Sequence, residues 1–140
     1  MLRGISNLIS PELLKVLMEM GHGDEIVLAD FNFPAASHAQ QLIRADGHTI
    51  PAMLDALLSL FPLDYAVDYS AVLMGNRNTE PAIWKLYKEK ISTYPDGDKQ
   101  FLVIPKPDFY ERAKKTYCIV ATGESERFAN IILRKGIIII

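Results

Sequence analysis

The chain has 140 residues, of which 49% are hydrophobic and 23% charged, and 15 lysines and arginines against 17 aspartates and glutamates give a formal net charge of −2. These values are typical of an ordinary globular domain and exclude an intrinsically disordered chain. The charge balance also excludes the basic surface that a nucleic-acid-binding protein needs. The single cysteine, Cys118, excludes an intrachain disulfide and a cysteine-cluster metal site, and its apolar neighbours predict a buried, inert thiol.

No segment reaches the roughly 18 consecutive apolar residues of a membrane span, and the first residues lack the apolar stretch of a signal peptide. We therefore expect a cytoplasmic protein that does not contact a membrane. The sequence closes on four isoleucines, Ile137–Ile140, and an exposed apolar strand there would be an aggregation hazard. Two arrangements are open for them: cover by another subunit, or pairing within their own sheet.

Helical and strand patterns alternate along the chain without a linker or repeat, which predicts a single α/β domain over residues 1–140, its sheet flanked by helices. Ser10 and Thr49 are expected to cap the first two helices, each with a proline in the first turn. In chain order the predicted elements are a helix from Pro11 to Met20, a strand Glu25–Asp30, a helix from Thr49 to Phe61, a strand Ser70–Met74, a helix near 80–91, a strand Phe101–Ile104, a helix near 108–115, and strands Tyr117–Thr122 and Asn130–Leu133.

His22 stands between two glycines, Gly21 and Gly23, just before the first predicted strand. The glycines allow unusual backbone dihedrals and leave the imidazole open to a ligand. Histidine is also the side chain whose unperturbed pKa lies nearest neutrality, which suits a proton donor or acceptor. The alternative is a glycine-flanked turn with a solvated histidine, and the fragment alone does not decide between the two.

Further candidates lie at predicted strand ends, where α/β proteins place their binding sites. Asp30 ends an apolar strand, so its carboxylate faces either a ligand or the N–H group of a turn. Asn130 follows Phe128 and Ala129 and begins the last strand; alone it is typical of a turn. Lys106 lies between two prolines that stiffen its backbone, although taken alone it is typical of an exposed lysine.

The histidines His22, His38 and His48 have none of the spacings of a metal site, so no metal is expected. The sequence also lacks G-x-S-x-G, Walker and G-x-G-x-x-G motifs, which leaves hydride and phosphoryl transfer without support.

A set of short motifs extends in order over nearly the whole chain: Leu8–Leu14, Met20–Ile26, Phe33–Ala35, Ile43–Gly47, Phe109–Lys114, Ala121–Glu124 and Asn130–Gly136. Each motif is weak alone, but the ordered set is specific. Together they resemble the L-fucose mutarotase family (FucU-like), within the RbsD/FucU sugar mutarotase group. The Gly-His-Gly-Asp-Glu and Phe-Tyr-Glu-Arg-Ala blocks favour the fucose branch over the ribose-type branch.

The resemblance implies a small α/β subunit that assembles into a ring, typically a decamer, with the site near a subunit interface. The implied reaction interconverts the α- and β-anomers of a free sugar without a metal or organic cofactor. By resemblance His22 is the catalytic proton donor, and Asp30, Lys106 and Phe128–Asn130 bind the monosaccharide.

The sequence departs from this pattern at three positions. Phe128 lacks the hydroxyl of the usual tyrosine, Lys106 stands where arginine is common, and Ala129 replaces a glycine, as in the ribose-type pattern. Lysine offers a point charge where arginine offers a planar fork, so the two are not equivalent. The departures keep two alternatives open: a ribose-type pyranase that interconverts pyranose and furanose forms, and a sugar-binding protein without activity.

Overall fold

The structure is a computed structural model that describes residues 1–140. Its strands are β1 (Glu25–Ala29), β2 (Leu42–Ala45), β3 (Val72–Met74), β4 (Leu102–Ile104), β5 (Cys118–Thr122) and β6 (Ile131–Arg134). Its α-helices are α1 (Pro11–Glu19), α2 (Ala35–His38), α3 (Ile50–Leu58), α4 (Ala82–Ile91) and α5 (Lys106–Lys114), with a short 3₁₀ turn at Pro95–Gly97.

The strands form one sheet in the order β2-β5-β1-β6-β3-β4. Strands β1 and β2 are parallel to β5, and β4 is parallel to β3, whereas β6 runs antiparallel to its neighbours β1 and β3. Strands β1–β5 therefore all finish at one end of the sheet, where β6 begins. We call this the carboxyl end, and the opposite end, where β1 starts and β6 finishes, the amino end.

Helices cover both faces of the sheet. The side chains of β1 alternate between the two faces, with Ile26 and Leu28 in the larger apolar cluster and Val27 and Ala29 in the smaller. The larger cluster contains the buried faces of α1, α3 and α4, and the smaller contains those of α2 and α5. This is the predicted α/β architecture with a sheet flanked by helices.

The predicted helix starts are confirmed by the capping bonds. The Leu13 amide donates to Ser10 Oγ over 3.1 Å, and the Ala52 amide donates to Thr49 Oγ1 over 3.4 Å. Two elements were not predicted, α2 and β2, each of only four residues. Strand β2 lies at the edge of the sheet and pairs with β5 alone, so its side chains are at most partly buried and give no clear apolar signal.

The exposed fractions of the side chains test two expectations from the sequence, one for Cys118 and one for Ile137–Ile140. Cys118 is fully buried as predicted, and burial raises the pKa of its thiol to about 12. The isoleucines Ile137–Ile140 form no strand and are each at least 43% exposed, so the suggestion that they pair within their own sheet is wrong. Regular pairing of β6 with its neighbouring strands ends at Arg134, and beyond it Lys135 forms an isolated bridge to Leu63. No helix is of a length and apolarity to cross a bilayer.

Candidate functional site

The residues proposed from the sequence divide between the two ends of the sheet. Asp30 follows β1 and Asn130 precedes β6, so both lie at the carboxyl end, as does Lys106 after β4. His22 precedes β1 and lies at the amino end. Five residue steps of about 3.3 Å along β1 put Asp30 roughly 17 Å from Glu25, and His22 lies further still along the chain. One copy of the chain therefore does not bring His22 to the other candidates.

Asp30 and Asn130 are joined by hydrogen bonds in both directions. The Asp30 amide donates to Asn130 Oδ1 over 2.7 Å, and Asn130 Nδ2 donates to Asp30 Oδ2 over 3.3 Å. The other carboxylate oxygen, Oδ1, accepts the Asn32 amide at 3.0 Å, which closes a turn. Asn130 is 1% exposed, whereas Asp30 is only partly buried. The buried amide thus fixes an accessible carboxylate at the carboxyl end of the sheet.

The surroundings of Asp30 change its proton affinity. Burial raises the pKa of the Asp30 carboxyl, and the negative charge of Glu124 acts in the same direction. Hydrogen bonds from the Asn32 and Phe33 amides and from Asn130 oppose this shift, but the net pKa remains above its ordinary value. A carboxyl group with a raised pKa exchanges protons closer to neutrality, as general acids and bases do.

The backbone at Phe128 and Ala129 is held in a strained shape by α4. Phe128 is the one non-glycine residue with positive φ, at 58°. Its carbonyl accepts a bond from Trp84 Nε1 at 2.8 Å, and the Ala129 carbonyl accepts one from the Tyr87 hydroxyl at 2.8 Å. Gly75 lies opposite, where a Cβ would come within 3.2 Å of the Trp84 ring. Strain of this kind persists only where the surroundings enforce it, and it is concentrated at functional sites.

Lys106 lies at the carboxyl end but does not contact Asp30. It is the exposed first residue of α5, and its Nζ lies 5.4 Å from the centroid of the Tyr110 ring. The Tyr110 ring in turn packs edge-on against Phe33, with 4.9 Å between centroids. Lys106 is thus connected to the Asp30 turn through two aromatic rings.

A cleft of about 610 Å³ opens beside Asp30. The sequence interpretation missed Arg44 and Asp46 in its lining, because β2 was not predicted, and it gave no role to Phe31 beside Asp30. Arg44 and Asp46 form an exposed pair with Nη2 to Oδ1 at 2.6 Å. The volume lies within the usual range of small-molecule sites. The full lining comprises Asp30, Phe31, Phe33, Pro34, Ala35, Ala36, Ser37, Arg44, Asp46, Ala121, Thr122 and Gly123.

At the amino end His22 contacts a buried carboxylate. His22 Nε2 lies 3.1 Å from Asp64 Oδ1, and the imidazole side chain is 51% exposed whereas that of Asp64 is 2% exposed. Arg134 Nε donates to Asp64 Oδ2 over 2.8 Å, and the Ala66 amide donates to Oδ1 over 3.0 Å. Asp64 was not predicted from the sequence, because it lies in an irregular segment 42 residues from His22.

The pKa of Asp64 reflects these bonds. Burial alone would raise it, but the hydrogen bonds from Arg134, the Ala66 amide and His22 outweigh burial, and the net pKa lies below its ordinary value. The bond to Asp64 raises the pKa of the Arg134 guanidinium in return. A second pair lies at the same end of the sheet, where Arg112 contacts Glu25 through Nη2 at 2.6 Å.

Metal-ligating side chains do not converge anywhere in the chain. No group of three or more histidine, cysteine, aspartate and glutamate side chains is placed to hold a metal ion. His38 instead bonds to the neighbouring Ser37 hydroxyl through Nδ1 at 2.9 Å.

The fold and these clusters define a small α/β protein with a polar cleft at the carboxyl end of its sheet. Residues 3–138 match the model of the RbsD / FucU transport protein family. The chain belongs to the RbsD/FucU family.

Individual relatives are similar over nearly their full length. The chain is 46% identical over 144 residues to a fucose mutarotase of Mus musculus, with 96% of this chain and 94% of the relative covered. It is 51% identical, with a TM-score of 0.92, to the crystal structure of the fucose mutarotase in complex with L-fucose from Streptococcus pneumoniae, covering 99% of this chain and all of that one. The structure of Bacillus subtilis RbsD complexed with D-ribose has a TM-score of 0.79 at 19% identity over 99% of this chain and 100% of that one, which shows a common fold alone.

Proposed function

We propose that this chain is a sugar mutarotase, an isomerase of the racemase and epimerase class that interconverts the α- and β-anomers of L-fucose or a similar free monosaccharide. The observation that carries the proposal is the Asp30 carboxylate, held by buried Asn130 at the lip of a 610 Å³ cleft. Similarity to fucose mutarotases, one of them bound to L-fucose, supports the same activity and gives the sugar.

The reaction needs two proton transfers and a rotation. The anomeric hydroxyl loses its proton and the ring oxygen gains one, so the ring opens to an aldehyde. The aldehyde turns about its C1–C2 bond and recloses on the other face, with the protons moving in reverse. Positioned acid–base groups accelerate such steps by about 10²–10⁴-fold. No nucleophile or redox centre takes part in this chemistry.

We assign the proton transfers to Asp30 and His22. The Asp30 carboxylate faces the cleft and, with its raised pKa, accepts or returns the proton of the anomeric hydroxyl. His22 is the proton donor to the ring oxygen. Lys106 and the half-buried Phe128 side chain contact the distal part of the sugar, which leaves C1 free to rotate, and the fully buried Ala129 shapes the segment between Phe128 and Asn130. Asn130 acts chiefly by holding Asp30, because its side chain is buried.

These roles require more than one copy of the chain. His22 and Asp30 lie at opposite ends of β1, further apart than one monosaccharide reaches. We infer a composite site in which His22 of a second copy meets Asp30 of the first. The exposed isoleucines Ile137–Ile140 leave the same end of the sheet as His22 and provide an apolar surface for that contact. A homo-oligomeric ring, a decamer by the family resemblance, is part of this proposal, as is a cytoplasmic location.

Phe128 favours a second candidate within the same family. Without a tyrosine hydroxyl, one hydrogen bond to the sugar or one member of a proton relay is missing, which suits a ribose-type pyranase or a binding protein without turnover. Exchange measured side by side on fucose and ribose separates the enzymes, since each acts faster on its own sugar. Sugar binding without exchange on either would favour the binding protein.

The direct test is exchange NMR at the anomeric proton resonances of L-fucose with and without the protein. We expect faster α/β exchange with the wild type, and losses in the Asp30→Asn and His22→Gln variants while both remain folded. Unchanged exchange upon addition of the wild type would contradict the proposal for fucose.

The composite site has its own test. Each single variant, Asp30→Asn and His22→Gln, is expected to be inactive alone, because every site then lacks one group. Subunits of the two variants, dissociated and reassembled together, form some sites from an intact Asp30 and an intact His22. Recovery of exchange upon mixing supports the composite site, and mixed assemblies that stay inactive would contradict it.

A further inference from the structure

Asp64 is a buried carboxylate with no part in the proton transfers proposed above. We propose that it is a positioning residue for His22, which it orients so that Nε2 carries a proton and Nδ1 faces the sugar. This inference rests on the proposed function, because His22 is the proton donor there.

The contacts of Asp64 determine the tautomer of His22. Both carboxylate oxygens already receive donors, from Ala66 at Oδ1 and from Arg134 at Oδ2. An ionised carboxylate only accepts hydrogen bonds, so the His22 nitrogen 3.1 Å away must be an N–H. In the neutral imidazole the lone pair then lies on Nδ1, and in the imidazolium Nδ1 carries the transferable proton. Either way, Nδ1 is the atom that exchanges a proton.

A purely structural role for this contact does not account for its geometry. The charge of Asp64 is already balanced by Arg134, and a backbone amide satisfies the oxygen that faces His22. His22 is half exposed, so bonding to Asp64 restricts a side chain that water would otherwise solvate. Both carboxylate oxygens of Asp64 would therefore keep a hydrogen-bond donor even without His22. What the contact adds is a fixed ring orientation, which is the usual role of a carboxylate behind a functional histidine.

The backbone at Gly23 leaves room for the Arg134 side chain that bonds to Asp64. Its φ is +89°, and a Cβ there would lie 3.0 Å from Arg134 Nη2. The glycine after His22 thus lets the guanidinium lie close to the loop and hold Asp64 from behind. The charged groups around His22 include Asp64, Arg134 at the end of β6, and Asp24, whose Oδ2 accepts the Gly21 amide at 2.8 Å. Lys135 is a further one, since its Nζ donates to the Met20 carbonyl.

The first test uses the wild type alone. With ¹⁵N-histidine labelling the chain has only three labelled side chains, and the His22→Gln variant identifies the His22 signals. Nitrogen shifts measured on the sedimented protein by solid-state NMR distinguish an Nε2–H from an Nδ1–H imidazole. We expect the Nε2–H form, and the Nδ1–H form would overturn the inference.

The second test uses Asp64→Asn. The amide keeps the shape but has a single acceptor atom, so it cannot accept from both Arg134 and His22. We expect the Nε2–H form to lose its dominance, anomer exchange to fall by about 10- to 100-fold, as for carboxylates behind metal-bound histidines, and the pH profile of exchange to shift. The matched control is Asp55→Asn, which removes an exposed carboxylate paired with Lys90 and should change neither signal nor rate.

The outcomes separate this inference from the proposed function. A wild type without anomer exchange refutes the proposed function, and with it the role given to Nδ1. An active wild type together with an Asp64→Asn variant of unchanged rate and pH profile refutes the inference alone. If Asp64→Asn does not fold, the wild-type tautomer decides: Nε2–H supports the inference and Nδ1–H overturns it.

Discussion

Asp30 and Asn130 hold each other across 100 residues of sequence, the backbone amide of one bonding to the side chain of the other and the side chains bonding in return. The pair links the end of β1 to the start of β6, two antiparallel neighbours in the sheet. The carboxylate is thereby fixed by buried structure on one side while its other side meets the cleft. Loss of this pair is therefore expected to lower both the free energy of unfolding and the rate of anomer exchange.

Asn130→Ala tests this expectation. It leaves the Asp30 amide without an acceptor, so we expect the free energy of unfolding to fall by about 1–3 kcal/mol. Anomer exchange should fall as well, because the carboxylate loses the bond from Asn130 to Oδ2 and keeps only the one from the Asn32 amide to Oδ1. Asn32→Ala is the matched control, since only its backbone bonds to Asp30 and its side chain is exposed. Denaturant unfolding at one protein concentration measures the first effect and exchange NMR the second; equal behaviour of the two variants would contradict the prediction.

The raised pKa of Asp30 predicts a pH dependence of stability. The folded chain holds the proton more tightly than the unfolded chain does, so this contribution is complete below the unfolded pKa and is lost as the pH rises through the folded pKa. Asp30→Asn does not titrate. We therefore expect the free energy of unfolding of the wild type to fall relative to that of the variant as the pH rises from the unfolded pKa through the folded pKa.

Asp46→Asn is a control for which we expect the opposite pH dependence of stability. The hydrogen bond from Arg44 lowers the pKa of Asp46, so its contribution is present above the unfolded pKa and lost on acidification through the folded pKa. The wild type should therefore gain stability relative to Asp46→Asn as the pH rises. Urea unfolding from acidic to neutral pH measures both differences, and parallel curves for Asp30→Asn and the wild type would contradict the first prediction.

The two glycines beside His22 are not equivalent. Gly23 has positive φ and lies against Arg134, whereas a Cβ at Gly21 would meet only Asp24 Oδ2 at an ordinary 3.7 Å. Gly23→Ala is expected to cost about 1–2 kcal/mol of stability for the left-handed backbone alone, and to slow anomer exchange by displacing Arg134. Gly21→Ala should leave both close to the wild type. Thermal unfolding and exchange NMR of the pair test this, and a larger effect at Gly21 would contradict it.

The hydroxyl of Tyr87 is expected to stabilise the strained segment at Phe128. Tyr87→Phe leaves the buried Ala129 carbonyl without its donor, at a cost of about 1–3 kcal/mol. Because that segment borders Asn130, the apparent KM for the sugar should rise. Tyr65→Phe removes the hydroxyl of a half-exposed ring and serves as the control. The prediction fails if both variants unfold at the same denaturant concentration.

The sequence predicted the long elements because each has its own local signals. Caps at Ser10 and Thr49 and apolar stripes predicted α1 and α3, and the buried strands predicted most of the sheet. Strand β2 carries no such signal, because it is short, half exposed and defined only by its pairing with β5. The site residues likewise have a part that local patterns predict and a part that depends on the fold. Asp30 and Asn130 stand at strand ends visible in the sequence, but their mutual bonds depend on β1 and β6 being neighbours.

Asp64 illustrates what local patterns cannot supply. It follows no predicted strand, and two of its three partners, His22 and Arg134, lie 42 and 70 residues away along the chain. The opposite placement of His22 and Asp30, in contrast, already follows from the predicted strand Glu25–Asp30, because an extended strand separates the residues at its two ends. The unusual dihedral and the open imidazole expected at His22 are found, with φ of +89° at Gly23 and a half-exposed ring, and the structure adds a further reason for Gly23, clearance for Arg134.

The isoleucines at the amino end provide a test of assembly. Ile138 and Ile139 are each 74% exposed, and contiguous apolar surface of this kind is typical of a contact with another molecule. If a second copy covers them, the double substitution Ile138→Ser and Ile139→Ser weakens assembly and, since His22 then fails to reach a neighbouring Asp30, slows anomer exchange at low protein concentration. Met18→Ser, at an equally exposed methionine on α1, is the control. Sedimentation velocity over a range of concentrations is the measurement. Unchanged assembly and exchange in the double variant would show that the isoleucines lie outside the subunit interface.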